Sequence, residues 1–283
     1  MIPAQVGVIG GGRMGAGIAH AFACAGAHVA VIERDDEMVD AAAERIRDLI
    51  GRSAERGTLQ RDRAAVEASV TVTTDADALS SVALVVEAVP EDRVMKAAAF
   101  ARAEAVIGDD AVLASNTSSI SIDALAETVR HPERFVGMHF FNPVPSSSLV
   151  EVVTGAATDP AVTARVREWV EGIGKTAIVV RDAPGFASSR LGVALGLEAI
   201  RMVEEGVASP ADIDAAMQLG YRHPMGPLRT TDIVGLDVRL GIAEELHAQL
   251  GERFAPPELL RRMVAEGRLG RKSGRGFYEW SEG

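Results

Sequence analysis

The feature that most constrains this chain is a glycine-rich segment near its start, Gly10-Gly11-Gly12-Arg13-Met14-Gly15, with the spacing G-x-G-x-x-G. It follows an apolar segment, Gln5–Ile9, that is predicted to be a β-strand. It opens an Ala- and Gly-rich segment, Arg13–Ala25, that is predicted to be a helix, and a second apolar strand follows at His28–Ile32. The first 36 residues therefore predict a β-α-β unit whose parallel strands are covered on both faces.

The three spaced glycines have separate expected roles. Gly10 permits a tight turn, Gly12 lets the backbone approach a diphosphate, and Gly15 lets the helix pack closely on the strand. Glu33 lies about 20 residues further on, at the end of the second strand, where its carboxylate can accept hydrogen bonds from a ribose diol and would repel a 2′-phosphate. The pattern favours NAD over NADP, although the adjacent Arg34 weakens that distinction. A plain glycine-rich turn is the structural alternative.

Beyond this unit, predicted strands and helices alternate up to about residue 180. A long amphipathic helix is predicted over Glu37–Arg56. Further strands are predicted at Val70–Thr73, Val82–Ala88, Ala111–Ala114, Phe135–Met138 and Leu149–Val153. This alternation predicts an α/β fold, with a Rossmann-type doubly wound sheet.

The composition changes after the turn cluster Asp182-Ala183-Pro184-Gly185. Helices are predicted at Leu191–Glu205, from Ser209-Pro210 onward, and at Val238–Leu250 and Pro257–Glu266. We therefore expect a dinucleotide-binding domain over residues 1–182 and an all-helical domain over residues 183–283.

Charge and cysteine content exclude several classes of protein. The net charge of −11 argues against a nucleic-acid or anionic-membrane binder. The single cysteine, Cys24, excludes a disulfide scaffold and a cysteine-based zinc site; we expect a buried structural thiol, no metal and a cytoplasmic protein. Residues 14–32 are uncharged, but their glycines and histidines favour a helix, a turn and a strand over a membrane span. The residues before this stretch lack the basic character of a signal peptide.

Two groups of polar residues follow apolar strands, at the strand ends where such sheets bind ligands. One is Val85-Val86-Glu87-Ala88-Val89-Pro90-Glu91, followed by Lys96. From spacing alone, Glu91 and Lys96 either belong to a site or form an ordinary surface ion pair. The other is Ala114-Ser115-Asn116-Thr117-Ser118-Ser119, which either binds a ligand or caps a helix.

A histidine and an acid form the third candidate. His139 lies in the segment FVGMHFFNPVP and Glu151 lies in LVEVV, twelve residues further on. A turn at Asn142-Pro143 could fold the acid back onto the histidine, which is the pairing that general acid–base catalysis needs. A core histidine with a satisfied hydrogen bond is the equally weighted alternative.

Taken together, these motifs resemble the L-3-hydroxyacyl-CoA dehydrogenase family, in particular the bacterial 3-hydroxybutyryl-CoA dehydrogenases. The similar segments are GVIGGGRMGAGIA, VVEAVPED, LASNTSS, GMHFFNPVP with LVEVV, DAPGF, HPMGP and GRKSGRGFYEW. They cover essentially the whole chain, and HFFNPVP followed by LVEVV is the specific part. The resemblance implies hydride transfer with NAD between an L-3-hydroxyacyl-CoA, expected to be short-chain, and the 3-oxoacyl-CoA.

The resemblance also implies roles for individual residues. His139 would take the hydroxyl proton, Glu151 would hold His139, and Ser118 would hydrogen-bond the reacting oxygen. The NAD site would be lined by Glu91, Lys96, Asn142 and Lys272, together with Gly10, Gly12, Arg13, Met14, Gly15 and Glu33. The helical domain would form a homodimer, and substrate would bind between the two domains.

One residue departs from the family pattern. Ser189 stands where the family has an asparagine that helps to position the substrate, and it offers one donor in place of two. This puts its catalytic role in doubt. The phosphates of CoA need cationic partners, for which Arg52, Arg56 and Arg61 are candidates; a solvated helix face is the alternative.

Two other functions remain open from the sequence. A dehydrogenase of a sugar acid, such as gulonate, would share the cofactor half and the histidine–acid pair. A non-catalytic nucleotide-binding protein is compatible with the change at Ser189. The segment His223-Pro224-Met225-Gly226-Pro227 favours the acyl-CoA enzyme, because the resemblance places it there.

Overall fold

An eight-stranded sheet organises the first part of the chain, in a computed structural model that describes residues 1–280. Its strands are β1 Gln5–Ile9, β2 His28–Ile32, β3 Val70–Thr73, β4 Leu84–Glu87, β5 Val112–Ser115, β6 Phe135–Phe140, β7 Leu149–Thr154 and β8 Thr176–Arg181. The strand order is β3-β2-β1-β4-β5-β6-β7-β8. Neighbouring strands are parallel except β6 and β7, which are antiparallel. The sheet direction therefore reverses once.

Six helices connect these strands. They are α1 Arg13–Ala25, α2 Asp36–Glu55, α3 Arg63–Ala68, α4 Arg93–Glu104, α5 Ile122–Ala126 and α6 Pro160–Gly172. An aspartate side chain accepts a hydrogen bond from a backbone N–H of the first turn of α2, α4 and α6; the caps are Asp35, Asp92 and Asp159. These caps satisfy donors that a helix start would otherwise leave unpaired, and they fix where each helix begins.

One hydrophobic core cluster of this unit lies on one face of the sheet, where alternate strand residues pack against α1, α2 and α6. Met138 and Phe140 of β6 belong to this core. Because successive strand residues point to opposite faces, the intervening His139 is directed to the other face. Glu151 of β7 and Ser115 of β5 alternate in the same way with core residues, so three polar side chains share that second face.

The second part of the chain is helical. Its helices are α7 Ser188–Glu204, α8 Pro210–Ala215, α9 Pro227–Val234, α10 Leu236–Leu250 and α11 Glu258–Ala265. A separate core includes the fully buried side chains of Val193, Leu197 and Leu228. Burying each such side chain contributes about 1.5–3 kcal/mol, so this unit has a substantial core of its own.

A buried carboxylate fastens the last described segment to this helical unit. Asp232 of α9 is fully buried and accepts hydrogen bonds from the N–H of Phe277 and Tyr278, each at 2.9 Å. The indole N–H of Trp280 donates to the same carboxylate at 2.8 Å. The segment GRGFYEW is therefore held by its backbone as well as by its aromatic side chains.

The prediction of an α/β sheet followed by an all-helical part is confirmed. One compact unit ends at Ala183 and the other begins at Pro184. The last three positions of the predicted second domain, 281–283, lie outside the described residues. Over residues 1–280, no helix combines the length and the apolar character needed to cross a membrane.

Candidate active site

The glycine turn has the geometry that a dinucleotide needs. Gly10 has a φ of +92°, and its N–H donates to Ile32 O at 2.9 Å, which ties the turn to β2. A Cβ atom on Gly15 would overlap Gly10 O, so only glycine allows α1 to approach the strand this closely. A Cβ on Gly12, by contrast, would meet no atom within 4 Å. The exposed Gly12 caps α1 through its backbone, and Arg13 and Met14 begin the helix.

The acid at the end of β2 lies against this turn. Glu33 Oε1 accepts a hydrogen bond from Gly11 N–H at 2.6 Å, and Arg45 Nη1 donates to Gly11 O at 2.7 Å. Arg34 is the cation that weakened the predicted preference for NAD over NADP. Its Nε forms an ion pair with Asp35 Oδ2 at 2.8 Å. The half-buried Glu33 carboxylate and the uncluttered Gly12 fit the ribose and the diphosphate of NAD respectively.

A buried lysine lies between two carboxylates at the end of β4. The Lys96 side chain is 1% exposed, and its Nζ lies 2.8 Å from Glu87 Oε1 and 3.1 Å from Glu91 Oε2. Burial raises the pKa of Glu87, and the charge of Lys96 and the hydroxyl of Ser115 act against that rise. The alternative of an ordinary surface ion pair for Glu91 and Lys96 is therefore wrong, because the ammonium is buried.

Glu91 organises the polar segment that follows β5. Its Oε1 accepts hydrogen bonds from Thr117 Oγ1 at 2.6 Å and from the N–H groups of Ser118 and Ser119 at 2.9 Å each. Burial acts to raise the pKa of Glu91, but the Thr117 hydroxyl and the Lys96 charge prevail and lower it to about 2. The carboxylate is thus ionised near neutral pH, and it holds the exposed Ser118 in place.

This segment is not a helix cap. Ser121 caps α5 by accepting a hydrogen bond from Ala124 N–H at 3.1 Å. Asn116 instead joins two strand ends, since its Oδ1 accepts a hydrogen bond from Phe140 N–H at 2.9 Å. Glu87 likewise accepts a hydrogen bond from Ser115 of the neighbouring strand. Both Glu87 and Asn116 lie in the motifs found in the sequence, but their spacing did not predict that they connect neighbouring strands.

His139 and Glu151 are paired. The antiparallel register of β6 and β7 places them directly opposite each other, and His139 Nδ1 lies 2.7 Å from Glu151 Oε2. The Glu151 side chain is fully buried and that of His139 is 9% exposed. The ring of Phe141 packs against the imidazole, with 4.5 Å between centroids. The carboxylate fixes the ring orientation and favours the tautomer with a proton on Nδ1.

The remaining predicted residues lie in several places. Asn142 is exposed after β6 and precedes a cis peptide bond to Pro143. Arg52 lies in the last turn of α2 and Arg56 caps it, both exposed. In the helical unit, Ser189 is half-buried in the first turn of α7, and Lys272 Nζ pairs with Asp237 Oδ2 at 2.6 Å. The structure thus brings together the glycine turn with Glu33, Lys96 with Glu91 and Ser118, and His139 with Glu151.

Cys24 was predicted to be a buried structural thiol, and the structure shows it half-buried. Burial raises the pKa of its thiol to about 11, which keeps it protonated near neutral pH. In the described part of the chain, no group of three histidine, cysteine or acidic side chains could hold a metal ion.

A Rossmann-type sheet with an NAD turn on one strand and a buried histidine–carboxylate pair on another defines an NAD-dependent oxidoreductase. The family model described as 3-hydroxyacyl-CoA dehydrogenase, NAD binding domain, matches residues 5–183, and that of the C-terminal domain matches residues 185–280. The chain belongs to the 3-hydroxyacyl-CoA dehydrogenase family.

Individual relatives agree with this assignment. A 3-hydroxybutyryl-CoA dehydrogenase of Mycobacterium tuberculosis is 45% identical over 280 residues, 98% of each chain. A probable 3-hydroxybutyryl-CoA dehydrogenase of Deinococcus radiodurans is 44% identical over 98% of this chain and 100% of its own. The solved (S)-3-hydroxybutyryl-CoA dehydrogenase of Ralstonia eutropha superposes with a TM-score of 0.94, at 38% identity, over 99% of this chain and 100% of the other. These similarities favour the acyl-CoA enzyme over the sugar-acid enzyme and the non-catalytic protein.

Proposed function

We propose that this protein interconverts L-3-hydroxybutyryl-CoA and acetoacetyl-CoA with NAD, and that His139 is its general base. The observation that carries the proposal is the 2.7 Å contact between His139 Nδ1 and Glu151 Oε2, in the sheet that also carries the NAD turn. The relatives named for 3-hydroxybutyryl-CoA support the short acyl chain.

The histidine moves the proton in this mechanism. The glycine turn and Glu33 would hold NAD, which would supply the hydride acceptor for C3 of the substrate. Because Glu151 engages Nδ1, we assign transfer of the hydroxyl proton to Nε2. The buried Glu151 carboxylate then stabilises the imidazolium that forms, without leaving its position. In the reverse direction the imidazolium returns this proton to the 3-oxo oxygen.

Ser118 orients the reacting oxygen. Its hydroxyl is exposed, and the backbone on both sides is held through Glu91 and Thr117. A donor that is already fixed loses little freedom when charge develops on that oxygen. Ser189 is proposed as a weaker second donor, and Arg52, Arg56, Asn142 and Lys272 as contacts to substrate or cofactor.

Replacement of the base tests the proposal directly. His139→Gln should lower kcat about 10²–10⁴-fold, because it removes general base catalysis. The affinity for NADH, measured by fluorescence titration, should change little, since the glycine turn and Glu33 are untouched. His131→Gln is the matched control, because His131 is exposed in the segment before β6.

Two outcomes would overturn the assignment. One is a kcat for His139→Gln within tenfold of wild type in acetoacetyl-CoA reduction. The other is a wild-type protein that binds NADH but reduces no member of a 3-oxoacyl-CoA series. The same assay with a sugar acid such as gulonate tests the alternative substrate, and the series gives the preferred chain length.

We also propose a homodimer formed through the helical unit, acting in the cytoplasm. Leu191 is 65% exposed and Leu195 is 42% exposed on one face of α7, one helical turn apart. Val238 of α10 is 44% exposed as well. The single half-buried cysteine supports a reducing compartment.

The oligomeric state is measurable. Sedimentation equilibrium should give twice the chain mass for the wild type. The double variant Leu191→Glu/Leu195→Glu should sediment as a monomer with an unchanged far-UV spectrum, because charges would enter an apolar contact. A wild-type protein that remains monomeric at high concentration contradicts the dimer without affecting the catalytic proposal.

A further inference from the structure

The strand that carries His139 extends beyond its parallel neighbour. The strand β5 ends at Ser115, which pairs with Gly137 of β6, whereas β6 continues to Phe140. On the side of β5, the last three residues of β6 therefore have no strand beside them in the described chain. On the other side, β6 still pairs with β7 as far as Phe140. His139 thus lies in a part of the sheet where a neighbouring strand supports it from one side only.

The side chain of Asn116 takes the place of the missing strand. Asn116 directly follows β5, and its Oδ1 accepts a hydrogen bond from the N–H of Phe140 at 2.9 Å. Successive residues of a strand direct their N–H groups to opposite neighbours, so the N–H of His139 is directed toward β7. The backbones of His139 and of the residue after it are therefore held from opposite sides.

The backbone of Asn116 is itself held in place. Its N–H donates to Glu87 O, at the end of β4, at 2.8 Å. The next residue, Thr117, is 1% exposed, and its hydroxyl donates to Glu91 Oε1 at 2.6 Å. An amide on such a backbone loses little conformational freedom when it accepts the hydrogen bond from Phe140. The contact between β5 and the end of β6 is therefore built on rigid parts of the sheet.

The direction of the imidazole depends on this end of β6. The side chain of Phe140 is 2% exposed and belongs to the core cluster, and the ring of Phe141 packs against the imidazole. Glu151 engages Nδ1 from β7, so the direction of Nε2 depends on where the backbone of β6 lies. Without an acceptor for the N–H of Phe140, the end of β6 would gain freedom, as strand ends with solvated backbone groups do.

We propose that Asn116 is a positioning residue for the reaction, which fixes the end of β6 so that His139 directs Nε2 at the hydroxyl of the substrate. The inference rests on the proposed function of His139. Asn116 acts through the backbone of Phe140, and it neither gives nor takes a proton. Misplacement of a catalytic group by about 1 Å can lower a rate about 10²-fold, which sets the scale of the expected effect.

A second side chain holds the opposite end of the same strand, and it provides a matched control. Thr158 Oγ1 donates to the carbonyl oxygen of Phe135, the first residue of β6, at 2.7 Å. Thr158 is half-buried, as Asn116 is. Thr158→Val removes a side-chain contact to the backbone of β6 but leaves the end that carries His139 unchanged. This variant therefore separates the stability of the strand from the position of the base.

The test measures the reduction of acetoacetyl-CoA by NADH in the full chain. Asn116→Ala should lower kcat about ten- to hundredfold, because the base loses its position. The KM for acetoacetyl-CoA and the Kd for NADH, from fluorescence titration, should change little. Thr158→Val should lower the melting temperature and leave kcat unchanged.

A conservative variant tests whether the accepted hydrogen bond is the contribution of Asn116. Asn116→Asp keeps an acceptor oxygen at the same position and should restore most of the kcat that Asn116→Ala loses. The kcat values are compared at the plateau of each pH profile, because an added carboxylate changes the ionisation of groups near it. Asn116→Ser, whose hydroxyl is too short to replace the amide oxygen, takes the place of the alanine variant if that variant does not fold.

Three results would overturn the proposal. They are a kcat of Asn116→Ala equal to that of the wild type, a kcat that Thr158→Val lowers as much, and an Asn116→Asp variant as slow as Asn116→Ala. Failure of the proposed function is recognised separately. It would appear as a wild-type protein without activity on any 3-oxoacyl-CoA, or as full activity in His139→Gln.

Discussion

The side chain of Lys96 is 1% exposed, and its ammonium group lies between the carboxylates of Glu87 and Glu91. Removal of one partner of such a buried pair costs about 3–5 kcal/mol, because it leaves the other charge without compensation. The cluster also connects β4 to the segment that follows β5, since Glu91 contacts the backbone of Ser118. The charge balance of Lys96 at the end of β4 is therefore linked to the position of Ser118 after β5.

The ionisation of Glu91 gives a prediction for Glu91→Gln. The pKa of Glu91 is about 2, below its ordinary value of 4.5, so the carboxylate contributes stability above pH 4.5 that is lost as the pH falls toward 2. The variant should be less stable at pH 6 by about 1–3 kcal/mol. Urea denaturation from pH 6 to pH 3 should show this difference shrinking. A difference that stays constant with pH would contradict the prediction.

Single residues also mark the limit of what the sequence could predict. The candidates His139 and Glu151 were identifiable, but their pairing depends on the register between β6 and β7, which the loop sequence does not specify. Burial of Lys96 depends on Glu87 of the preceding strand. Spacing along the chain contains neither fact, because both arise from packing between strands.

Among the elements, β1, α1 and β2 were predicted with their observed bounds, because glycines and apolar runs delimit them. The strand β8 was missed, although Ala177–Val180 form a short apolar run; it lies at the edge of the sheet, and its residues are mostly half-buried or exposed. The reversal of direction at β7 was left open, as one of two alternatives for the turn at Asn142-Pro143. Alternating strands and helices predict a parallel sheet, and only the short connection after β6 departs from that pattern.

Two glycines of the first turn should respond differently to alanine. Gly15→Ala should lower the melting temperature, because its Cβ would overlap Gly10 O. Gly12→Ala should keep the melting temperature within a few degrees, because no atom lies within 4 Å of the added methyl. It should still weaken NADH binding by about tenfold, since the methyl would lie where the backbone meets a diphosphate. Differential scanning fluorimetry and NADH titration measure both effects.

Equal melting temperatures for these two variants would contradict this assignment of the glycines. Unchanged NADH affinity in Gly12→Ala would contradict the proposed approach of the diphosphate. The comparison has its control built in, because the same methyl group is added to the same turn in both variants.

On the scale of the whole molecule, each of the two compact units has a hydrophobic core cluster over the described residues, and these two clusters share no residues. Leu197 is fully buried in the core of the helical unit. Leu197→Ala should lower the free energy of unfolding by about 2–5 kcal/mol, while NADH affinity changes less than twofold. Chemical denaturation and fluorescence titration check the two parts. A large loss of NADH affinity would mean that the cores depend on each other.

The ladder between β6 and β7 determines which changes of chain length the site tolerates. In that ladder Glu151 stands opposite His139, with Val150 and Val152 on either side of it. A slip by one residue would place a valine opposite the imidazole and turn the acid into the core. An insertion in the connection over residues 141–148 lengthens the loop and leaves the pairing of β6 with β7 unchanged. A single deletion within β7 would instead abolish the chemistry while leaving most of the sheet intact.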